Sequence, residues 1–147
     1  MRAKRLHYWL LGWFAVLAMI QPHDGFPETL DHWQLNPLSS LGHSLRISYG
    51  NGIFIAVGEP GTLLTSSDGA TWRERSSGTN QSIHDIAYGS SAFVAVGEGG
   101  TILSSPDGVI WTWRNSGTGY DLNGVGYGQN TFVAVGDAGV ILTSPDG

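Results

Sequence analysis

Tyr49-Gly50, Tyr88-Gly89 and Tyr127-Gly128 recur at an interval of 39 residues, and whole units align around them without a gap. The copies read YGNGIFIAVGEPGTLLTSSDGATW from Tyr49, YGSSAFVAVGEGGTILSSPDGVIW from Tyr88 and YGQNTFVAVGDAGVILTSPDG from Tyr127. Phe54, Phe93 and Phe132 correspond, as do Gly58, Gly97 and Gly136, then Asp68, Asp107 and Asp146, and Trp72 and Trp111. A fixed period of this kind means stacked copies of one supersecondary unit, none of which can bury its apolar face alone.

Short β-branched and aromatic runs separated by glycine-rich turns make each unit a set of strands rather than helices. In the second unit four strands are expected, at Ile83 to Tyr88, Ala92 to Val96, Thr101 to Ser104 and Ile110 to Arg114. Phe93 and Ala95 point to one face and Val94 and Val96 to the other, so this strand needs a neighbouring sheet on both sides. Small residues at Ser48, Ala87 and Gly126 suit inner strands crowded around an axis. Four-stranded units of about 40 residues that cover one another are the blades of a β-propeller, so the fold class is all-β.

The repeats divide 33–147 into a closing outer strand at 33–41, blade 1 at 45–75, blade 2 at 83–115 and a partial blade 3 at 122–147. Trp33 stands 16 residues before Tyr49, as Trp72 stands before Tyr88, and so starts a fourth strand without its own first three. The third unit reaches Gly147 just before its expected Trp. About three blades fall short of the roughly four to eight that close a ring. The chain therefore reads as an incomplete ring, a fragment of a longer protein, with strand exchange between copies as the other route to closure.

Residues 1–20 carry Arg2, Lys4 and Arg5 and then an apolar run of 15 residues from Leu6 to Ile20. That run is shorter than the roughly 20 residues of a membrane-crossing helix, which favours a signal peptide over a permanent anchor. Residues 21–32 read as a linker. The expected location is exported, in the periplasm, outside the cell or at its surface, with the membrane met only through the signal or an uncleaved anchor.

The formal charge of −5, from 7 Lys and Arg against 12 Asp and Glu, speaks against nucleic acid as a partner. Without cysteine the chain has no disulfides, thiolate metal sites or cysteine nucleophile.

The segments Ser66 to Trp72 (SSDGATW), Ser105 to Trp111 (SPDGVIW) and Ser144 to Gly147 (SPDG) resemble the Asp-box of bacterial-neuraminidase-type repeats, over residues 33–147. Here Gly follows Asp directly, and Ile110 stands in place of the Thr. With its FVAVG strands this shorter form is similar to exported propellers of the sialidase superfamily that include photosystem II assembly factor-like proteins. The resemblance implies that Asp68, Asp107 and Asp146, with Trp72 and Trp111, build turns and are not catalytic. An Asp beside Gly in a tight turn, accepting backbone N–H groups, fits that role. A sialidase needs an arginine triad, a Tyr and Glu nucleophile pair and an acid. The repeats hold only Arg46, Arg73, Arg75 and Arg114, and Tyr49, Tyr88 and Tyr127 recur as packing residues. The expectation is a non-enzymatic binding or assembly module with no catalytic residues, metal or cofactor. The alternative is a piece of a glycan-processing hydrolase whose catalytic residues lie outside this chain.

Glu59, Glu98 and Asp137 present one carboxylate per blade from the same turn, a pattern for cations or amines, although an acid before Gly also favours the hairpin itself. Links between blades leave from the same rim, and Asn80, Gln81 and Tyr120 there are the candidates for contact with a protein or glycan. His84 and Asp85 are adjacent on an inner strand. Strict alternation would send them to opposite faces, so that they could not act together.

Overall fold

The computed structural model describes residues 45–147, which hold eleven strands in three antiparallel sheets. The first sheet is β1 (Arg46–Gly50), β2 (Ile53–Gly58), β3 (Thr62–Ser66) and β4 (Arg73–Glu74). The second is β5 (Ile83–Gly89), β6 (Ala92–Gly97), β7 (Ile102–Ser105) and β8 (Thr112–Arg114), and the third is β9 (Leu122–Gly128), β10 (Thr131–Gly136) and β11 (Ile141–Ser144). Each sheet is a meander with strands in chain order. The expected signal at 1–20, linker at 21–32 and closing strand at 33–41, with Trp33, lie outside the described residues.

Local chemistry sets these boundaries. Asn51-Gly52, Ser90-Ser91 and Gln129-Asn130 link the first two strands of each sheet with positive φ at both positions, the geometry that suits the right-handed strand twist in a two-residue hairpin. The outer strand starts later than expected, at Thr112 rather than Ile110. Asp107 Oδ1 takes the N–H groups of Val109 and Ile110, which curls the chain away from the ladder before pairing begins at Thr112 with Ser104. Thr101 is likewise outside β7, because its N–H closes a 3-10 turn onto the Glu98 carbonyl.

The second strand of the second sheet, β6, is buried on both faces as its pattern requires, whereas β10 leaves Val133 and Val135 exposed. Phe93 and Ala95 join a core with Ile55, Val57, Leu63 and Leu103 between the first and second sheets. Val94 and Val96 join a second core with Leu122, Phe132 and Ala134 between the second and third. The cores are largely one cluster shifted by one repeat, with Ile55, Val57, Ile83, Phe93, Ala95 and Leu103 of the first answered by Val94, Val96, Leu122, Phe132, Ala134 and Leu142 of the second. Trp111 packs against the first, and among the described residues no tryptophan packs against the second.

The inner strands β1, β5 and β9 lie side by side. The repeated Tyr-Gly pair is the contact that spaces them. Tyr88 of the second sheet packs on Gly50 of the first, and Tyr127 of the third on Gly89 of the second, so close that a Cβ at either glycine would overlap the ring carbons. Each tyrosine is braced from behind by the phenylalanine paired with it across its hairpin, with ring centroids 4.6 Å apart in all three sheets. Gly50→Ala and Gly89→Ala should each destabilise the fold by about 1–3 kcal/mol through overpacking. Urea melts followed by tryptophan fluorescence measure this, and an unchanged midpoint would mean that the tyrosine is free to move aside.

Candidate functional site

Two ladder irregularities shape the rim from which the links between blades emerge. In β5 the pairing steps from Ile83 opposite Gly97 to Asp85 opposite Val96, which leaves His84 as the extra residue of a bulge. In β9 the same step leaves out Asn123, one repeat on. A bulge bends the strand and re-aims the side chains around it. His84 and Asp85 consequently both reach the neighbouring strand β9. The Leu122 carbonyl accepts from His84 Nδ1 at 3.1 Å, and Asp85 Oδ2 accepts from the Val125 N–H at 2.9 Å. Opposite faces, expected from strict alternation, are thus not what this strand presents. Because a carbonyl only accepts, the His84 contact keeps a proton on Nδ1, and Nε2 of the neutral ring is left as an acceptor.

His84 and Asn123 share a concavity of about 350 Å³ with Arg46, Glu59 and Ile83. A guanidinium, a carboxylate, an imidazole and an amide from all three blades therefore meet beside the inner strands. Of the six rim candidates, Glu59 alone lines it. Glu98 Oε2 accepts from the Ser82 N–H at 3.0 Å, tying its turn to the start of its own inner strand. Asp137 Oδ1 accepts from Asn123 Nδ2 at 2.7 Å. Asn80, Gln81 and Tyr120 are exposed on the links, and Asp121 beside Tyr120 accepts from the Gly99 N–H, joining the second blade to the third. Of the three carboxylates, Glu59 lines the concavity, while Glu98 and Asp137 each hold a group of their own blade. Arg46, His84 and Asn123 are not among the rim residues that the sequence alone nominates for a ligand. The signal for them was a break in the repeat, since His84 and Asn123 stand where the first unit has Leu45.

At the opposite end the Ser-x-Asp-Gly turns share one hydrogen-bond pattern. Asp68 Oδ1 accepts from the N–H groups of Ala70 and Thr71 at 2.9 and 2.7 Å, and Ser66 Oγ accepts from that of Gly69 at 2.9 Å. Asp107 Oδ1 does the same for Val109 and Ile110 at 2.8 and 3.0 Å. Trp72 and Trp111 each donate Nε1 to the carbonyl of the turn glycine, Gly69 or Gly108. In the third copy the Gly147 N–H donates to Ser144 Oγ and that hydroxyl to Asp146. The N–H donors of Thr71 and then Ala70 bring the Asp68 pKa down to about 2, and those of Ile110 and then Val109 lower that of Asp107. Arg73 and Arg75 line a cleft of about 450 Å³ beside these two turns. Arg75 donates Nε to Thr65 Oγ1 at 3.0 Å, as Arg114 does to Ser104 Oγ at 2.7 Å one repeat later.

Meander sheets that stack on each other's faces around adjacent inner strands make this an all-β chain of the β-propeller class, with the ring not closed among the described residues. No family model and no curated protein matches the chain. It is similar to a solved structure of YCF48 bound to a D1 peptide, with a TM-score of 0.59 and 18% identity. The match covers 71% of this chain and 38% of that one, so the chain spans well under half the length of the protein it matches.

The turn carboxylates have a pH signature with a definite sign. A carboxyl held ionised in the fold contributes stability above its unfolded pKa, roughly 4, and loses it as pH falls through its folded value. Melting temperature should therefore drop as pH falls from about 4 towards 2, and Asp68→Asn should flatten that drop. At pH 7, Asp68→Ala should lower it by roughly 3–8 °C, the scale of a lost side-chain cap in a domain of this size. Circular dichroism melts across pH check both, and a variant whose melts match the parent's throughout would remove Asp68 from the turn's stability.

Proposed function

We propose that the chain is an exported, non-enzymatic propeller module that binds an extended segment of a partner protein at the rim of the inner strands. The carrying observation is the concavity where Arg46, Glu59, His84 and Asn123 converge. Charges of both signs beside an amide and an imidazole match the alternating donors and acceptors of a peptide backbone and its side chains. Arg46 pairs with a peptide carboxylate, Glu59 with a basic group, and Asn123 with a main-chain amide. The exposed links with Asn80, Gln81 and Tyr120 extend this surface, and binding on loops of a rigid scaffold is the common arrangement. The likeness to YCF48, solved with a peptide bound, supports a polypeptide over a sugar as the ligand. Export rests on the basic start and apolar run of residues 1–20. The Ser-x-Asp-Gly turns keep the structural role that their resemblance to Asp-boxes implies.

A library of linear peptides displayed on phage and panned against the purified chain tests this. Selected peptides should bind with an affinity that Arg46→Ala and His84→Ala each weaken by about tenfold or more while leaving the melt unchanged. Peptides insensitive to both variants, or glycans bound in their place on an array, would refute the assignment. A fluorogenic sialoside should not be turned over, and turnover abolished by a point change within residues 45–147 would restore the hydrolase reading.

A further inference from the structure

The outer ends of the two four-stranded sheets enclose a cleft whose charges the packing does not use. In the first sheet Ile55 pairs with Thr65 and Thr65 with Arg73, one row across three strands. Gly108 of the second sheet sits over that row: a Cβ there would lie 2.5 Å from Ile55 Cδ1 and 2.8 Å from Ile53 Cδ1. The Asp107 turn thereby faces the row that ends in Arg73. Arg73, Arg75, Asp68 and Asp107 all line the resulting cleft of about 450 Å³. Their polar groups are only partly spent. Oδ1 of each carboxylate holds the N–H groups of its own turn, and Oδ2 has no partner among the described residues. Arg75 commits Nε alone, to Thr65, and Arg73 commits nothing. The guanidiniums and carboxylates of this cleft form no ion pair with one another. One repeat on, the matching cleft has Arg114 and Asp146 as its charged residues, and Thr112 stands where the first blade has Arg73. The second guanidinium is thus a departure from the repeat that blade packing does not require.

We propose that this cleft binds a short zwitterionic peptide of dipeptide size, its carboxylate on Arg73 and Arg75 and its ammonium on Asp68 and Asp107. Guanidinium N–H groups pair well with a carboxylate. A lone anion on the arginines is nonetheless opposed by two carboxylates that their turn N–H groups keep ionised. A lone cation on the carboxylates is opposed in turn by the two guanidiniums. A ligand carrying both charges relieves both conflicts. Its charges must also stand apart, because those of the cleft do not meet. The carboxylate and ammonium of a single amino acid share one carbon, whereas those of a dipeptide are separated by a peptide unit. The Ser67 hydroxyl is at hand for that unit, and Ile53 and Val109 offer apolar contact to the side chains. The space lies within the roughly 300–1,000 Å³ of small-ligand sites. It is at the opposite end of the blades from the concavity of Arg46 and Glu59, and the assignment does not rest on the peptide reading given there.

Calorimetric titration of the full chain, in a mild detergent, with the dipeptide alanylleucine reads the outcome. Binding with a Kd of about 1 mM or tighter is expected, and no binding overturns the site. N-acetyl-alanylleucine keeps the carboxylate without the ammonium, and alanylleucinamide keeps the ammonium without the carboxylate. Each should bind about tenfold or more weakly than the parent dipeptide. Equal binding of the first would mean a plain anion site and of the second a plain cation site, and either overturns the zwitterion. Arg73→Thr installs the second blade's residue at an exposed position and should weaken binding by about tenfold or more with the melt unchanged. Arg114→Gln, in the matching cleft, should leave binding as it is. Binding that ignores Arg73→Thr, or that Arg114→Gln abolishes, overturns the placement. Both ligand controls use the parent protein, so they decide the charge requirement whatever either variant does to the fold.

Discussion

A tyrosine ring lying on a glycine of the preceding blade sets the distance between neighbouring inner strands, and the rest of the packing follows from that distance. With the ring on the bare Cα, the two second strands approach closely enough for Phe93 and Ala95 to meet Ile55 and Val57 with almost no water left at the interface. Any side chain at the glycine would push the blades apart over their whole length. The phenylalanine across each hairpin holds the ring at its angle, and tilted aromatic pairs of this separation add to plain area burial. Each blade thus contributes a knob and a socket, and the fold is a sum of identical nearest-neighbour contacts.

Most of this architecture was legible as a pattern. The 39-residue period placed the strands, the two-sided apolar run of the second strand required neighbours on both faces, and the hairpin links announced themselves by composition. Two things were not legible. The outer strands are shorter than their β-branched residues imply, because Asp107 captures the N–H groups of Val109 and Ile110 before the ladder can. Alternation also failed at His84, since a bulge adds one residue and so reverses the facing of those before it. A bulge leaves little trace in composition, and period-two reasoning passes straight over it.

The same capture of N–H groups divides the acidic residues by role. Asp68 and Asp107 spend one oxygen on two backbone donors each, in turns far from the links between blades. Glu98 and Asp121 anchor rim turns to the neighbouring link. Equivalent positions in a repeat therefore do not imply equivalent functions. Glu59, Glu98 and Asp137 share a place in the unit, but Glu59 faces residues of three inner strands, Glu98 the Ser82 N–H of a link, and Asp137 the Asn123 amide of β9. Pro60, which stands where the second unit has Gly99, lacks the N–H that Asp121 accepts there, so the first and second turns are not tied down alike.

Strand faces in a propeller are consumed by their neighbours, and this restricts where recognition can be built. Between blades every second-strand side chain meets the next sheet, which leaves turns, links and the ends of inner strands for polar chemistry. The bulges act at those ends. They turn His84 and Asn123 toward one concavity at positions where an unbroken ladder would have split successive residues between the two faces.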